Sequence, residues 1–261
     1  MSLERLMVEG AHPRQITRYL NDLVEMTGPC GDPNVEAEIN RAVTEFPEDL
    51  YFQAIFAKYY IKTANFERAL EVAPNDAVGR GLKAQAYIGM AKYEDALRVA
   101  PDSAVGLGLQ AQANIGKGDY VAALAILDRK IALAPDDAVG YYMKAAIYFH
   151  LDKVQSSMLE INKIFQLPKK DVSPKTMFNT IILLYAMAAD ENPLIVALEH
   201  STDSGLLLRA KERAFVYRKE RSEATDPQSA IMDHFWKITS TMPLRPVDRK
   251  SAGIGFTPYS H

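Results

Sequence analysis

One decapeptide, written twice and then varied a third time, constrains the fold of this chain more than any other feature. Asn65-Phe66-Glu67-Arg68-Ala69-Leu70-Glu71-Val72-Ala73-Pro74 recurs as Lys92-Tyr93-Glu94-Asp95-Ala96-Leu97-Arg98-Val99-Ala100-Pro101. A third copy opens with Asp119-Tyr120-Val121-Ala122-Ala123-Leu124 and closes on Leu133-Ala134-Pro135. Behind each proline stands the same turn: Asn75-Asp76-Ala77-Val78-Gly79, Asp102-Ser103-Ala104-Val105-Gly106 and Asp136-Asp137-Ala138-Val139-Gly140. Self-similarity of this kind marks a repeat array, in which each unit buries its apolar face against its neighbours. An array reads as a binding scaffold. The repeats do not say what is bound.

The prolines set the period. Pro47 to Pro74 is 27 residues, Pro74 to Pro101 is 27, and Pro101 to Pro135 is 34. Ala57, Ala84, Ala111 and Ala145 are small where a first helix must approach its partner, and Ala69, Ala96 and Ala123 do the same for a second helix. Tyr120, Leu124, Leu127 and Ile131 fall at i, i+4, i+7 and i+11, an apolar stripe down one helix face. Asp76, Ser103 and Asp137 each stand just before a first helix, where a short polar side chain caps free N–H groups. The seven residues missing from the shorter units are close to two helical turns. Their loss removes about 10 Å of helix without rotating its buried face. The second helices at 66–72 and 93–99 are therefore expected to be short.

The flanks are less regular. Residues 1–46 read as helices: Ile16, Tyr19, Leu20, Leu23 and Val24 have helical spacing, Gly28 to Pro33 breaks it, and a second helix spans about 35–46. This pair takes the place of a degenerate first repeat, an N-terminal cap. Residues 171–242 form a C-terminal helical extension with helices expected at 174–190, 193–200, 205–223 and 226–241. Ser173, Asp203 or Ser204, and Asp226 are their capping candidates. Residues 243–261 read as an extended or disordered tail.

The 34-residue unit resembles a tetratricopeptide repeat (TPR), a helix–turn–helix module with small residues at its packing positions and a closing proline. Leu107, Ala111, Gly118, Tyr120, Ala123, Leu124 and Pro135 carry the resemblance, and the following copy adds Tyr141, Ala145 and Tyr148. The earlier copies contribute Phe56, Ala57, Tyr60, Phe66 and Ala69, then Ala84, Tyr87, Tyr93 and Ala96. The resemblance implies an all-α fold: a TPR-like helical solenoid over 47–170, wound as a right-handed superhelix. The two 27-residue units depart from the family length, and a different helical repeat is the alternative. The family binds partners on a concave face lined by first helices. Carried over, that face holds Lys58, Val78, Gln85, Val105, Gln112, Val139, Tyr142 and the adjacent Phe149. The Lys/Arg/Asn cluster with which some members grip a peptide carboxylate is missing.

Four glycines in this lining, Gly79, Gly81, Gly106 and Gly108, need a reason, because each costs a helix about 1 kcal/mol against alanine. Either bare backbone admits a partner, with Gln85 and Gln112 hydrogen bonding to its main chain, or the glycines permit close helix–helix approach.

Other chemistry is thinly represented. A net charge of −3 gives no general attraction to nucleic acid or anionic lipid, and Cys30 stands alone. There is no secretory leader pattern. The longest apolar run, 181–189, is far short of the roughly 20 residues of a membrane span. A soluble, cytoplasmic protein is expected. The histidines (His12, His150, His200, His234, His261) lack metal-site spacing, and no phosphate-loop, nucleophile-elbow or kinase motif occurs. No metal and no cofactor are expected. Arg209, Lys211, Arg213, Arg218, Lys219 and Arg221 crowd one helix, interleaved with Glu212, Glu220 and Glu223. The expected function is a non-enzymatic protein–protein scaffold or adaptor that takes a helix or extended peptide in its groove. The alternatives are a self-assembling oligomeric scaffold, and an RNA-binding or enzymatic role in the C-terminal helices, with His200 and Asp233-His234 as weak enzymatic candidates.

Overall fold

The computed structural model describes residues 6, 11–187, 192–201 and 204–223. Among them stand 13 α-helices, one 3-10 turn and no strand, so the fold is all-α. The helix expected at 226–241 and the tail from 243 lie outside the described residues. The chain divides into two compact units, with the boundary between Pro101 and Asp102.

The first unit contains α1 (Pro13–Met26), α2 (Pro33–Glu45), α3 (Leu50–Lys62), α4 (Phe66–Val72), α5 (Ala77–Gly89) and α6 (Tyr93–Val99). Helix α1 packs on α2 and α3, α3 on α2, α4 and α5, and α5 on α4 and α6. The apolar stripe of α1 becomes core: Ile16, Leu20 and Val24 are buried with Val35, Ile39, Phe52, Ile55 and Ile61. His12 caps α1. Its ring Nδ1 accepts the Arg14 N–H at 3.2 Å, while the His12 backbone N–H donates to the Gln15 side-chain oxygen at 3.0 Å.

The second unit contains α7 (Ala104–Gly116), α8 (Tyr120–Leu133), α9 (Ala138–His150) and α10 (Val154–Gln166). A 3-10 turn at Lys169–Asp171 leads to α11 (Pro174–Met187), α12 (Pro193–Ser201) and α13 (Ser204–Glu223). Helix α8 packs on α7 and α9, α10 on α9, α11 on α9 and α10, and α13 on α11. Leu127, Met143, Ile147, Ile161 and Leu183 are fully buried.

The repeat in sequence is a repeat in local geometry. The first helices α3, α5, α7 and α9 are each 13 residues long. The second helices α4 and α6 have 7 residues, against 14 in α8 and 13 in α10, so the missing segment does shorten them. Asp76 and Ser103 accept the Gly79 and Gly106 N–H groups at 2.8 and 3.1 Å, and Asp137 accepts that of Val139 at 2.9 Å.

The turn joining first to second helix is also built identically four times. Asn65, Lys92, Asp119 and Lys153 donate their N–H groups to the carbonyls of Tyr60, Tyr87, Asn114 and Tyr148 at 2.8 to 2.9 Å. In each turn the preceding residue is left-handed: Ala64 (φ 59°), Ala91 (58°), Gly118 (78°) and Asp152 (57°). This closure satisfies carbonyls that a helix C-terminus would otherwise leave open. Only one copy uses the residue that adopts it without steric cost.

Candidate functional site

The expected lining follows the first helix of each unit, and its four rows fare differently. On α3, Tyr51 is 71% exposed at the head of the helix. Further along, Lys58 pairs with Glu25, and Lys62 donates to the Val24 carbonyl at 2.6 Å and to that of Glu25. Both lysines therefore sit at the C-terminus of α1, where cations complement free carbonyls and the negative end of the helix dipole. Lys58 docks the N-terminal helix rather than standing free for a ligand.

On α5, Val78 is 56% exposed and Gln85 is half-buried. Two glycines here serve packing. A Cβ on Gly79 would lie 1.8 Å from the Pro74 carbonyl oxygen, and one on Gly89 would lie 2.5 Å from the Phe66 ring. The repeat's closing proline thus lies against the start of the next first helix.

In the second unit, α7 repeats the arrangement, with Val105 68% exposed and Gln112 half-buried. Gly108 differs from Gly79. A Cβ placed on it would meet nothing closer than the Lys130 side chain, at an ordinary 3.8 Å, so packing does not demand glycine there. On α9, Val139 is half-buried, but Tyr142 and Phe149 are 1% and 3% exposed. These two are core residues and offer no surface to a partner. The reason is that α9 is packed by α8, α10 and α11 together.

Among the described residues, the amides of Gln85 and Gln112 have no hydrogen-bond partner. The lining that remains is therefore an exposed valine followed, seven residues on, by an unengaged glutamine, once on α5 and once on α7. A shallow hollow of about 540 Å³ adjoins Tyr51, walled by the single stretch Phe46, Pro47, Glu48, Asp49, Leu50 and Tyr51.

Charged side chains brace the second unit internally. Buried Lys130 pairs with Asp137 and donates to the Ala104 carbonyl at 3.0 Å, joining the end of α8 to the start of α7 and to the turn before α9. Lys144 reaches Asp128 at 2.6 Å and the buried Glu160 at 3.5 Å, and Lys163 also pairs with Glu160. Burial alone would lower the Lys144 pKa; the Asp128 hydrogen bond and the Glu160 and Asp128 charges outweigh it and hold Lys144 above its ordinary value. In the first unit, burial and hydrogen bonds to Glu38 and Glu36 push Tyr19 and Tyr60 up to about 12.

Among the described residues, no group of three or more His, Cys, Asp or Glu side chains could hold a metal ion. His150 is buried edge-on to Phe149, and Cys30 is exposed. His200 lies in α12 with its side chain undescribed; Asp233, His234 and His261 lie outside the described residues. No described helix is long and apolar enough to cross a membrane. No protein-family model, curated protein or solved structure matches the chain.

Sequence reasoning missed the roles of Lys58, Lys130 and Lys144. For Lys130 a signal existed: Asp128 and Lys130 both lie in the seven residues that distinguish the long unit from the short ones. Lys58 offered none, because Glu25 is 33 positions away.

Proposed function

We propose that the chain is a TPR-like helical solenoid with a helical C-terminal extension, acting as a non-enzymatic scaffold that holds an extended segment of a protein partner. The observation that supports this most is the valine–glutamine pair repeated at the same register on α5 (Val78, Gln85) and on α7 (Val105, Gln112). Seven residues are two helical turns, so the two side chains of each pair share one face about 10 Å apart. An exposed valine gives a bound segment apolar contact. A glutamine amide offers both a donor and an acceptor, which matches the alternating groups of an extended main chain. Each pair by itself suits a protein segment, the partner is placed in the cytoplasm, and the lack of a basic cluster among these residues disfavours recognition of a terminal carboxylate.

The test is selection of a random-peptide library on the intact protein, followed by affinity measurement with variants. Enriched peptides are expected to lose about tenfold in affinity, about 1.4 kcal/mol, on Gln85→Ala or Gln112→Ala. Val78→Asp and Val105→Asp should weaken binding at least as much, with unchanged thermal unfolding. Absence of enrichment, or peptides indifferent to all four substitutions, would contradict the reading.

A further inference from the structure

Val78 and Val105 occupy the same place on α5 and α7, yet the first turn that carries Val105 has a support of its own. The carbonyl of Ala104, the residue before Val105, accepts a hydrogen bond from Lys130 Nζ at 3.0 Å. The same ammonium pairs with one carboxylate oxygen of Asp137, whose other oxygen accepts the Val139 N–H at 2.9 Å and so caps α9. The end of α8 is thereby tied to the starts of both first helices that it packs against.

The stem of Lys130 is packed as closely as its head is bonded. Its Cε lies 3.8 Å from where a Cβ on Gly108 would stand, and its Cδ lies 3.8 Å from where one on Gly140 would stand. The whole residue is only 3% exposed. At that depth the bonds to Asp137 and Ala104 are charge-assisted and directional, and solvent does not compete for them. The tie is particular to α7. Helix α6, the partner of α5, ends at Val99 after 7 residues, short of the place that Lys130 takes in the 14-residue α8. On α10 that place is held by Ile164.

We infer that Lys130 is a positioning residue: it fixes the first turn of α7, and with it the direction in which Val105 is presented. Helix α7 then offers its valine–glutamine pair preorganised by a tie that α5 lacks, and preorganised contacts bind more tightly because less order is lost on binding. The consequence for binding rests on the scaffold reading above; the fixing of the turn does not.

The test uses two variants of the intact protein. Lys130→Met keeps the stem and removes the ammonium. Adding Asp137→Asn keeps a cap on α9 and removes the charge left unpaired. Without any peptide, hydrogen exchange at Leu107, Gly108 and Leu109 should quicken about tenfold in both variants, as expected for the loss of a charge-assisted hydrogen bond. Exchange in Ala138–His150 should not change in the double variant. A peptide enriched from the library should bind either variant about tenfold more weakly. In that background Val105→Asp should add little to the loss, while Val78→Asp keeps its full effect. The inference is overturned if the first turn of α7 exchanges as in the parent protein, or if Val105→Asp stays fully additive with Lys130→Met. It is equally overturned if exchange quickens alike throughout α7, α8 and α9, which would make Lys130 a general support of the core. If no peptide is enriched, the scaffold reading fails, and exchange in the first turn of α7 alone decides for or against the tie.

Discussion

Ala64, Ala91, Gly118 and Asp152 occupy one structural position, and three of them occupy it at a cost. A left-handed backbone costs a non-glycine residue about 1–2 kcal/mol, and glycine returns part of that as lost chain entropy. Ala91→Gly should therefore stabilise the protein by about 0.5–1 kcal/mol and Gly118→Ala should destabilise it by about 1 kcal/mol, as read by urea unfolding. The brace on Glu160 makes a second prediction. Lys144→Met should cost about 3 kcal/mol because it strips a buried carboxylate of one cation, and Lys144→Met combined with Glu160→Leu should recover much of that loss. A third concerns alkaline pH. The Tyr19 and Tyr60 phenols donate to Glu38 and Glu36 and titrate near 12, above the ordinary value of 10. A raised folded-state pKa contributes stability that is intact below pH 10 and is lost as pH rises through about 12. The urea midpoint should fall across that window, and less steeply in Tyr19→Phe and Tyr60→Phe.

Helix starts and lengths were legible in the sequence because they depend on local chemistry. Asp76, Ser103 and Asp137 do cap, and the 27-residue units do carry second helices of 7 residues. Asp76→Ala and Ser103→Ala should each cost about 1 kcal/mol in denaturant unfolding. Burial was legible only in part. Tyr142 reads as lining because it stands in register with Gly108, and Phe149 because it adjoins that row. Yet α11 packs on α9, and whether a face is covered depends on a helix that lies some thirty residues further on. The left-handed turns were hidden for the opposite reason. Alanine and aspartate do not advertise a positive φ, and only Gly118 hinted at one. At the same scale, the long second helix adds buried contact that the short ones lack: Leu127 is fully buried, and Leu127→Ala should cost about 2–5 kcal/mol, a loss with no counterpart in α4 or α6.

At the scale of the whole molecule, the repeats build two units from one recurring element, and each unit presents the same valine–glutamine pair on a first helix. The first unit ends its series by docking α1 through Lys58 and Lys62. The second continues through α11 and α13. Helix α5 in the first unit and helix α7 in the second each keep an exposed valine and a half-buried glutamine. The most direct measurement is hydrogen exchange on the intact protein, with and without a saturating peptide chosen by library selection. The account predicts slowed exchange in Ala77–Gly89 and Ala104–Gly116, with α13 unchanged. Protection confined to Ser204–Glu223, or none in either first helix, would contradict it.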